Sequence, residues 1–279
     1  MCADPSTLEG LNWWLCYLNT PKHWSLYYSV GTVMLLLAIV TPLVLLLGLG
    51  GALARRSRFA PLRWIGTIYT SMVRGIPDIA FFLFVPIALD QGLEWLRHKA
   101  LCSDVEAPIR QGNDFVVCDI AKLPLNSAPE WQHDVYAFVL ATTAITIVFG
   151  AFAANIIYGA MNAVPKGQLE AGEAVGMTPR QILRRIHLPQ MWRYALPGLS
   201  NLWMILVKAT PLLFILGIED IVYWARELGG AKTFRYAYPH DDWRLGYFLV
   251  LLVFYLFLTW LSEKGFARLN ARFAAGVAR

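Results

Sequence analysis

Charge is scarce in this chain. Only 15% of its 279 residues are charged, against 57% hydrophobic, whereas about a quarter are charged in a typical soluble domain. That scarcity excludes an ordinary soluble enzyme and points to one integral membrane domain. Cysteine is sparse as well, and Cys2, Cys16, Cys102 and Cys118 follow no zinc-ligand spacing. The opening MCADPSTLEG lacks the basic start and short apolar run of a signal peptide, and no apolar run precedes Cys2 as a lipoprotein signal requires. There is no Gly-x-x-x-x-Gly-Lys-Ser/Thr phosphate loop, no internal repeat and no low-complexity tract. His23, His98, His133, His187 and His240 all fall in loops or at the edges of apolar segments. No two spans share a metal-ligand set, which argues against a membrane-embedded enzyme. Net charge is +5, but the basic residues cluster at the ends of apolar segments, where topology demands them. Nucleic acid is not an implied partner.

What is present is apolar length. A bilayer core of about 30 Å needs roughly 20 apolar residues per helix. Five segments qualify: Ser25 to Leu49, Trp64 to Gly92, Val135 to Gly159, Ala195 to Ile218 and Arg244 to Leu261. Thirteen Lys and Arg residues lie in the first loop, the third loop and the tail, and nine on the other side. The thirteen occupy shorter segments near span ends, which places them in the cytoplasm. The N-terminus is then outside and the C-terminus inside. The expected organisation is an outer N-terminal segment at 1–24, a membrane domain at 25–262 and a cytoplasmic tail at 263–279. An outer polar loop spans 97–134 and a cytoplasmic loop 160–194. Trp13, Trp14, Tyr17 and Leu18 fit either a helix lying among lipid headgroups or one packed on the bundle.

The stretch EAGEAVGMTPRQILRRIHLP, Glu170 to Pro189, is polar yet well formed. Gly176 suits the left-handed residue that ends a first helix. Thr178 then caps a second, with Pro179 at its first position. Ile182, Leu183 and Ile186 share one face, and Pro189 is expected to end the helix. Ala171, Gly172 and Ala174 leave room for another surface to approach. A passive connector between spans needs less capping than this.

Glu170, Ala171 and Gly172, then Gly176, then Ile186, Leu188 and Pro189 resemble the cytoplasmic signature loop of bacterial ATP-binding-cassette importer permeases. GAFAANIIYGAMNAVPKGQ before it, PQMWRYALPGLSNLWMILVK after it and RGIPDI at Arg74 to Ile79 are similar to the polar amino-acid branch, the histidine, lysine, arginine and octopine uptake family. The likeness covers about Ser25 to Leu261. It implies an all-α integral membrane protein with the five-span type I importer permease fold, in the bacterial inner membrane. It also implies partners: two ATPase subunits, a second permease (itself or a homologue) and a periplasmic substrate-binding protein, all within membrane lipid. The hairpin would be the helix that couples to the ATPase, with Glu170 pairing a basic group there. ATP and magnesium would be held by that partner, and this chain would carry no cofactor or metal. A passive channel, a scaffold that only anchors an ATPase, and an importer of another small polar solute such as an opine are the rivals.

An ionisable group inside a bilayer costs at least about 2.5–3.5 kcal/mol and needs a reason. Arg74 and Lys208 both fall near mid-depth of their expected spans. Asp78 follows Arg74 by four residues, across Gly75 and Pro77, which should break the helix. One reading is an Arg74–Asp78 ion pair with Lys208 bonded to free carbonyls. The other is that these groups line the pathway, as broken helices and midplane charges do in transporters. In the resembled family, equivalents of Arg74 and Lys208 lie near the gate. There a Glu and an Arg are common where Asn155, a further candidate for the pathway, and Tyr158 stand here, and Asp-Thr-Ser-Leu follows the lysine where this chain has ATPLL. Cys102 and Cys118 share the outer loop, where a disulfide would persist. Pairing with each other is expected; free thiols or pairing with Cys2 or Cys16 are alternatives.

Overall fold

The computed structural model describes residues 9–102, 118–216 and 218–275. The side chains of Arg74 and Asp78, and with them the expected ion pair or pathway lining, lie outside what is described.

Regular structure among the described residues is helical apart from one antiparallel bridge between Lys232 and His240. The order is α1 (Gly10–Leu18), α2 (Pro21–Arg56), α3 (Ala60–Gly75), α4 (Asp78–Leu101), α5 (Glu130–Ala163), α6 (Lys166–Ala174), α7 (Pro179–Ile182), α8 (Leu188–Ala209), α9 (Ile221–Gly229) and α10 (Arg244–Ala275). Among the described residues, five helical stretches are long and apolar enough to cross a membrane: Pro21–Arg56, Ile79–Leu101, Glu130–Ala163, Pro179–Phe214 and Arg244–Phe273. The all-α, five-span fold expected from the sequence is therefore the fold observed.

The boundaries differ where proline acts. The expected second span, Trp64 to Gly92, is two helices. Ile76 is extended (φ −119°, ψ 134°), because the proline after it disfavours helical backbone, and α4 restarts after Pro77. Arg74 thus stands in the last turn of α3, not in the middle of one continuous span. Pro189 does not end its helix. The chain passes from α7 through a π-helical turn at Leu183–His187 into α8. In that wider turn Leu188 N–H bonds to the Leu183 carbonyl. The expanded turn gives room to a ring that would otherwise clash with the carbonyl four residues back. Helix α4 also runs to Leu101, inside the expected loop, and α10 carries the expected tail to Ala275.

The chain divides into two compact units, Met1–Ala38 with Leu196–Arg279, and Ile39–Ala195. In the second, α5 is the central element. Its buried face includes Ala144, Ile145, Val148, Ala151, Ala154 and Ile157. Small residues let helices touch there: a Cβ on Gly48 of α2 would fall 2.6 Å from the Ala153 Cβ. The Tyr69 hydroxyl of α3 donates to the Ile147 carbonyl of α5 at 2.6 Å. At the other end of this unit, buried Glu94 accepts from Leu123 N–H at 3.0 Å and pairs with Lys122, and a disulfide joins Cys102 to Cys118.

In the first unit, α1 packs on the segment before α10. Trp13 stacks on Tyr17, Trp14 on Trp243, and His240 on Trp243. Tyr17 is buried in this packing, whereas Trp14 and Leu18 keep an exposed face. Thr210 is buried and bonds the Tyr255 hydroxyl at 3.1 Å. Along α10, Leu245, Val250, Val253, Leu256 and Phe257 are exposed, an apolar surface suited to hydrocarbon or another subunit.

Candidate functional site

The polar hairpin is held by its own backbone. At the end of α6, Gly176 N–H bonds to the Glu173 carbonyl at 2.9 Å and Met177 N–H to the Gly172 carbonyl at 3.0 Å. These are the two bonds of a Schellman stop. Gly176 has φ +77°, the left-handed conformation that glycine adopts without steric cost. Thr178 then opens α7 with a capping box: its hydroxyl accepts from Gln181 N–H, and the Gln181 side chain accepts from Thr178 N–H at 2.8 Å. Pro179 follows at N1.

Gly172 answers a different need from the one its small size suggested. It is buried, and a Cβ there would meet Ile186 Cδ1 at 2.8 Å and Ile182 Cγ1 at 3.2 Å. The surface that approaches Gly172 is therefore the second arm of the same hairpin. Ile186 is spent on that internal contact. What the hairpin leaves outside is Glu170, Ala171, Glu173, Ala174 and Val175, the last 76% exposed. Leu188 is half-buried and Pro189 exposed at the start of α8.

Two arginines at the end of α2 tie this region down. Arg56 Nη1 donates to His187 Nε2 at 3.2 Å. An arginine can only donate, so that nitrogen accepts and the ring is neutral. Arg55 Nη1 donates to Asn155 Oδ1 at 2.8 Å, and its guanidinium lies 4.0 Å from the Tyr158 ring centroid. Asn155 Nδ2 donates to the carbonyls of Thr70, at 2.9 Å, and Ala151, at 3.3 Å. One amide thus joins α2, α3 and α5. Sequence reasoning weighed Asn155 as a pathway group and missed Arg55 and Arg56. Their only local signal was their place in the last turn of α2, where cations favour the helix dipole.

Lys208 is exposed in the last turn of α8. It belongs to the other compact unit from Asn155. His98, Cys102 and Cys118 offer ligand atoms within 4.8 Å of one another, but the two sulfurs are joined as a disulfide. That bond leaves the imidazole as the remaining donor, and its Nδ1 accepts from Cys118 N–H at 3.1 Å.

Five spans, the fourth of them entered through a rigid polar hairpin, define a membrane transport subunit. The chain belongs to the family of binding-protein-dependent transport system inner membrane components, whose model matches residues 44–274. It is 32% identical over 252 residues to the histidine/lysine/arginine/ornithine transport system permease protein HisQ of Salmonella typhimurium, covering 90% of this chain and 93% of that one. It is 30% identical over 236 residues to the octopine transport system permease protein OccQ of Rhizobium meliloti, covering 84% of each. Its fold is that of a solved amino acid ABC transporter with histidines, at 20% identity and TM-score 0.62, over 89% of this chain and 94% of that one. The protein is thus a multi-pass permease subunit of the bacterial inner membrane, working in a binding-protein-dependent system.

Proposed function

We propose that this permease imports an amino acid or amino-acid derivative and is driven through the hairpin by a separate ATPase. The observation that carries the reading is the continuity of the hairpin's second arm with a spanning helix, Pro179 to Phe214. A push on a capped, rigid tip is then a push on a membrane helix. The permeases it resembles in sequence are named for histidine, lysine, arginine, ornithine and octopine, which supports the substrate class.

In this reading Glu170 and Val175 present charge and apolar contact to a groove on the ATPase. Closure of two ATP-loaded subunits draws together the hairpins of this chain and a second permease, a copy or a homologue. The pathway opens outward, where a periplasmic binding protein delivers its ligand. ATP and magnesium stay on the ATPase, and this chain makes no covalent bond. The N-terminus is periplasmic and the C-terminus cytoplasmic, as the distribution of Lys and Arg supports. Lys208, Arg74 and Asp78 contribute to the gate or pathway.

Cysteine cross-linking tests the docking. Val175→Cys, in a background with the native cysteines replaced by serine, is expected to cross-link to the co-expressed ATPase, with a yield that changes on ATP binding. A Val175→Cys protein reactive to an external membrane-impermeant thiol reagent, and not to the ATPase, would overturn both docking and topology.

A further inference from the structure

Within the first compact unit lies a cavity of about 600 Å³, lined among others by Tyr17, Lys22, Lys232, Tyr236, Tyr238 and His240. Its size falls within the range of small-molecule sites, roughly 300–1,000 Å³. The nucleus of its charge is a pair of ammonium groups. Lys22 Nζ and Lys232 Nζ both reach the same oxygen of Glu227, at 2.8 and 3.1 Å. One carboxylate neutralises one of the two. Glu227 braces the lysines from behind, whereas both lysines line the cavity and, among the described residues, no carboxylate does. The hydrogen bond from Lys22 holds the Glu227 carboxyl below its ordinary value, so the brace is ionised.

Four rings, Tyr17, Tyr236, Tyr238 and His240, stand with the lysines in the wall. Lys232 Nζ lies 5.0 Å from the Tyr236 ring centroid. The His240 ring donates from Nδ1 to the Asp241 carbonyl, and its Nε2 meets the Tyr17 hydroxyl at 3.2 Å. Tyr17 in turn meets the Tyr247 hydroxyl at 3.1 Å, and Tyr247 meets His23 Nε2 at 2.7 Å. The phenol of Tyr17 is thereby locked, and Lys232 is paired with His240 through both backbone bonds. A pre-formed wall of this kind loses little entropy when a ligand enters.

We infer that this cavity is a receiving site for an amino-acid-derived carboxylate, its carboxylate between Lys22 and Lys232 and its planar or apolar body against the phenol rings. The inference rests on the amino-acid reading above and adds a position and a charge rule to it. Two lysines beside one carboxylate attract an anionic end through charge-assisted hydrogen bonds. Aromatic faces accept a guanidinium or flat apolar group. The surplus positive charge disfavours a ligand of net charge +1. A basic amino acid bearing a second carboxylate, and hence net neutral, fits better than the free basic amino acid.

The test is direct binding, without binding protein, to the permease–ATPase complex in nanodiscs of zwitterionic lipid. The probes are radiolabelled octopine, which carries two carboxylates, and L-arginine. Octopine is expected to bind at least tenfold more tightly than L-arginine. Lys22→Gln with Lys232→Gln should weaken octopine binding at least thirtyfold. Glu227→Gln frees both ammoniums and should tighten it severalfold, a gain that misfolding does not produce. Equal binding of the two probes, or octopine binding indifferent to the lysine pair, overturns the site. Competition by phosphatidylglycerol with no octopine bound in its absence also overturns it, in favour of a lipid headgroup. Transport assayed separately with a binding protein keeps the two readings apart: intact binding with no amino-acid transport sinks the importer reading alone, and intact transport with no binding sinks the cavity alone.

Discussion

Arg56 and His187, 131 positions apart in sequence, meet in a hydrogen bond of 3.2 Å between the end of α2 and the π-helical turn at the root of the hairpin. The contact fixes where the hairpin's second arm leaves the first long helix. Arg56 is exposed, so the bond itself contributes about 1 kcal/mol or less. Its value is positional. Arg56→Ala is expected to leave the thermal midpoint nearly unchanged while ligand-stimulated ATP hydrolysis falls severalfold and basal hydrolysis persists. Reconstituted ATPase assays with and without loaded binding protein read that ratio. An unchanged ratio would show that the contact does not position the hairpin.

The turn of the hairpin makes a sharper demand. Gly176 stands at φ +77°, and a Cβ placed on it would meet nothing within 4 Å, so space is not the constraint there; backbone conformation is. A β-branched residue in the left-handed region costs roughly 1–2 kcal/mol. Gly176→Val should therefore uncouple hydrolysis from transport, whereas Gly176→Asn, which tolerates that conformation, should retain most of the coupling. Gly172 is the reverse case, since it lies within α6 and its space is filled. Gly172→Leu should separate the two arms and lower the yield of folded complex on size-exclusion chromatography.

These local features were legible because they are written within a few residues. Glu170 to Pro189 carries its own cap, stop and turn, and the sequence placed Gly176, Thr178 and Pro179 in the roles they hold. The five spans were legible for the same reason, since apolar length is a local quantity. Pro189 defeats the proline rule because that rule assumes an α-helical turn before the ring, and the turn here is wider. Asn155 defeats sequence reading because its partner Arg55 is 100 residues away. Nothing in the neighbourhood of either residue announces the other, and a polar group inside an apolar helix reads as a pathway candidate until its hydrogen bonds are seen. The lysine pair at the cavity was invisible likewise, with Lys22 and Glu227 standing 205 positions apart.

Asn155 supplies the next test. Its amide accepts from Arg55 and donates to Thr70 and Ala151 carbonyls. Asn155→Leu keeps similar volume and leaves the half-buried guanidinium without its acceptor, at a cost of about 1–3 kcal/mol. Asn155→Glu, the residue common here in the resembled family, restores a carboxylate for Arg55 to bond. The expected order of thermal stability in detergent is wild type and Asn155→Glu above Asn155→Leu. If Asn155→Leu melts with the wild type, the three-helix tie carries no weight.

Asp220 gives the protein a pH signature at the start of α9. Its side chain is fully buried, and Oδ1 accepts from Val222 and Tyr223 N–H at 3.0 and 2.9 Å. Oδ2 has no hydrogen-bond partner among the described residues. Burial pushes the carboxyl up from 3.8 to about 6, with the two N–H groups pulling the other way. A raised acid binds its proton more tightly folded than unfolded. The stabilisation is complete below the unfolded value near 3.8 and is lost as pH rises through about 6. A shift of that size corresponds to about 3 kcal/mol at most. Asp220→Asn keeps an acceptor for the helix cap and cannot ionise. Relative to this variant, the wild type should lose stability as pH rises from about 4 to about 6 and melt lower at neutral pH. Thermal unfolding of both proteins across that range, in one detergent, gives the difference curve. A flat curve would mean that the carboxylate finds water or a partner in the folded protein and is not desolvated.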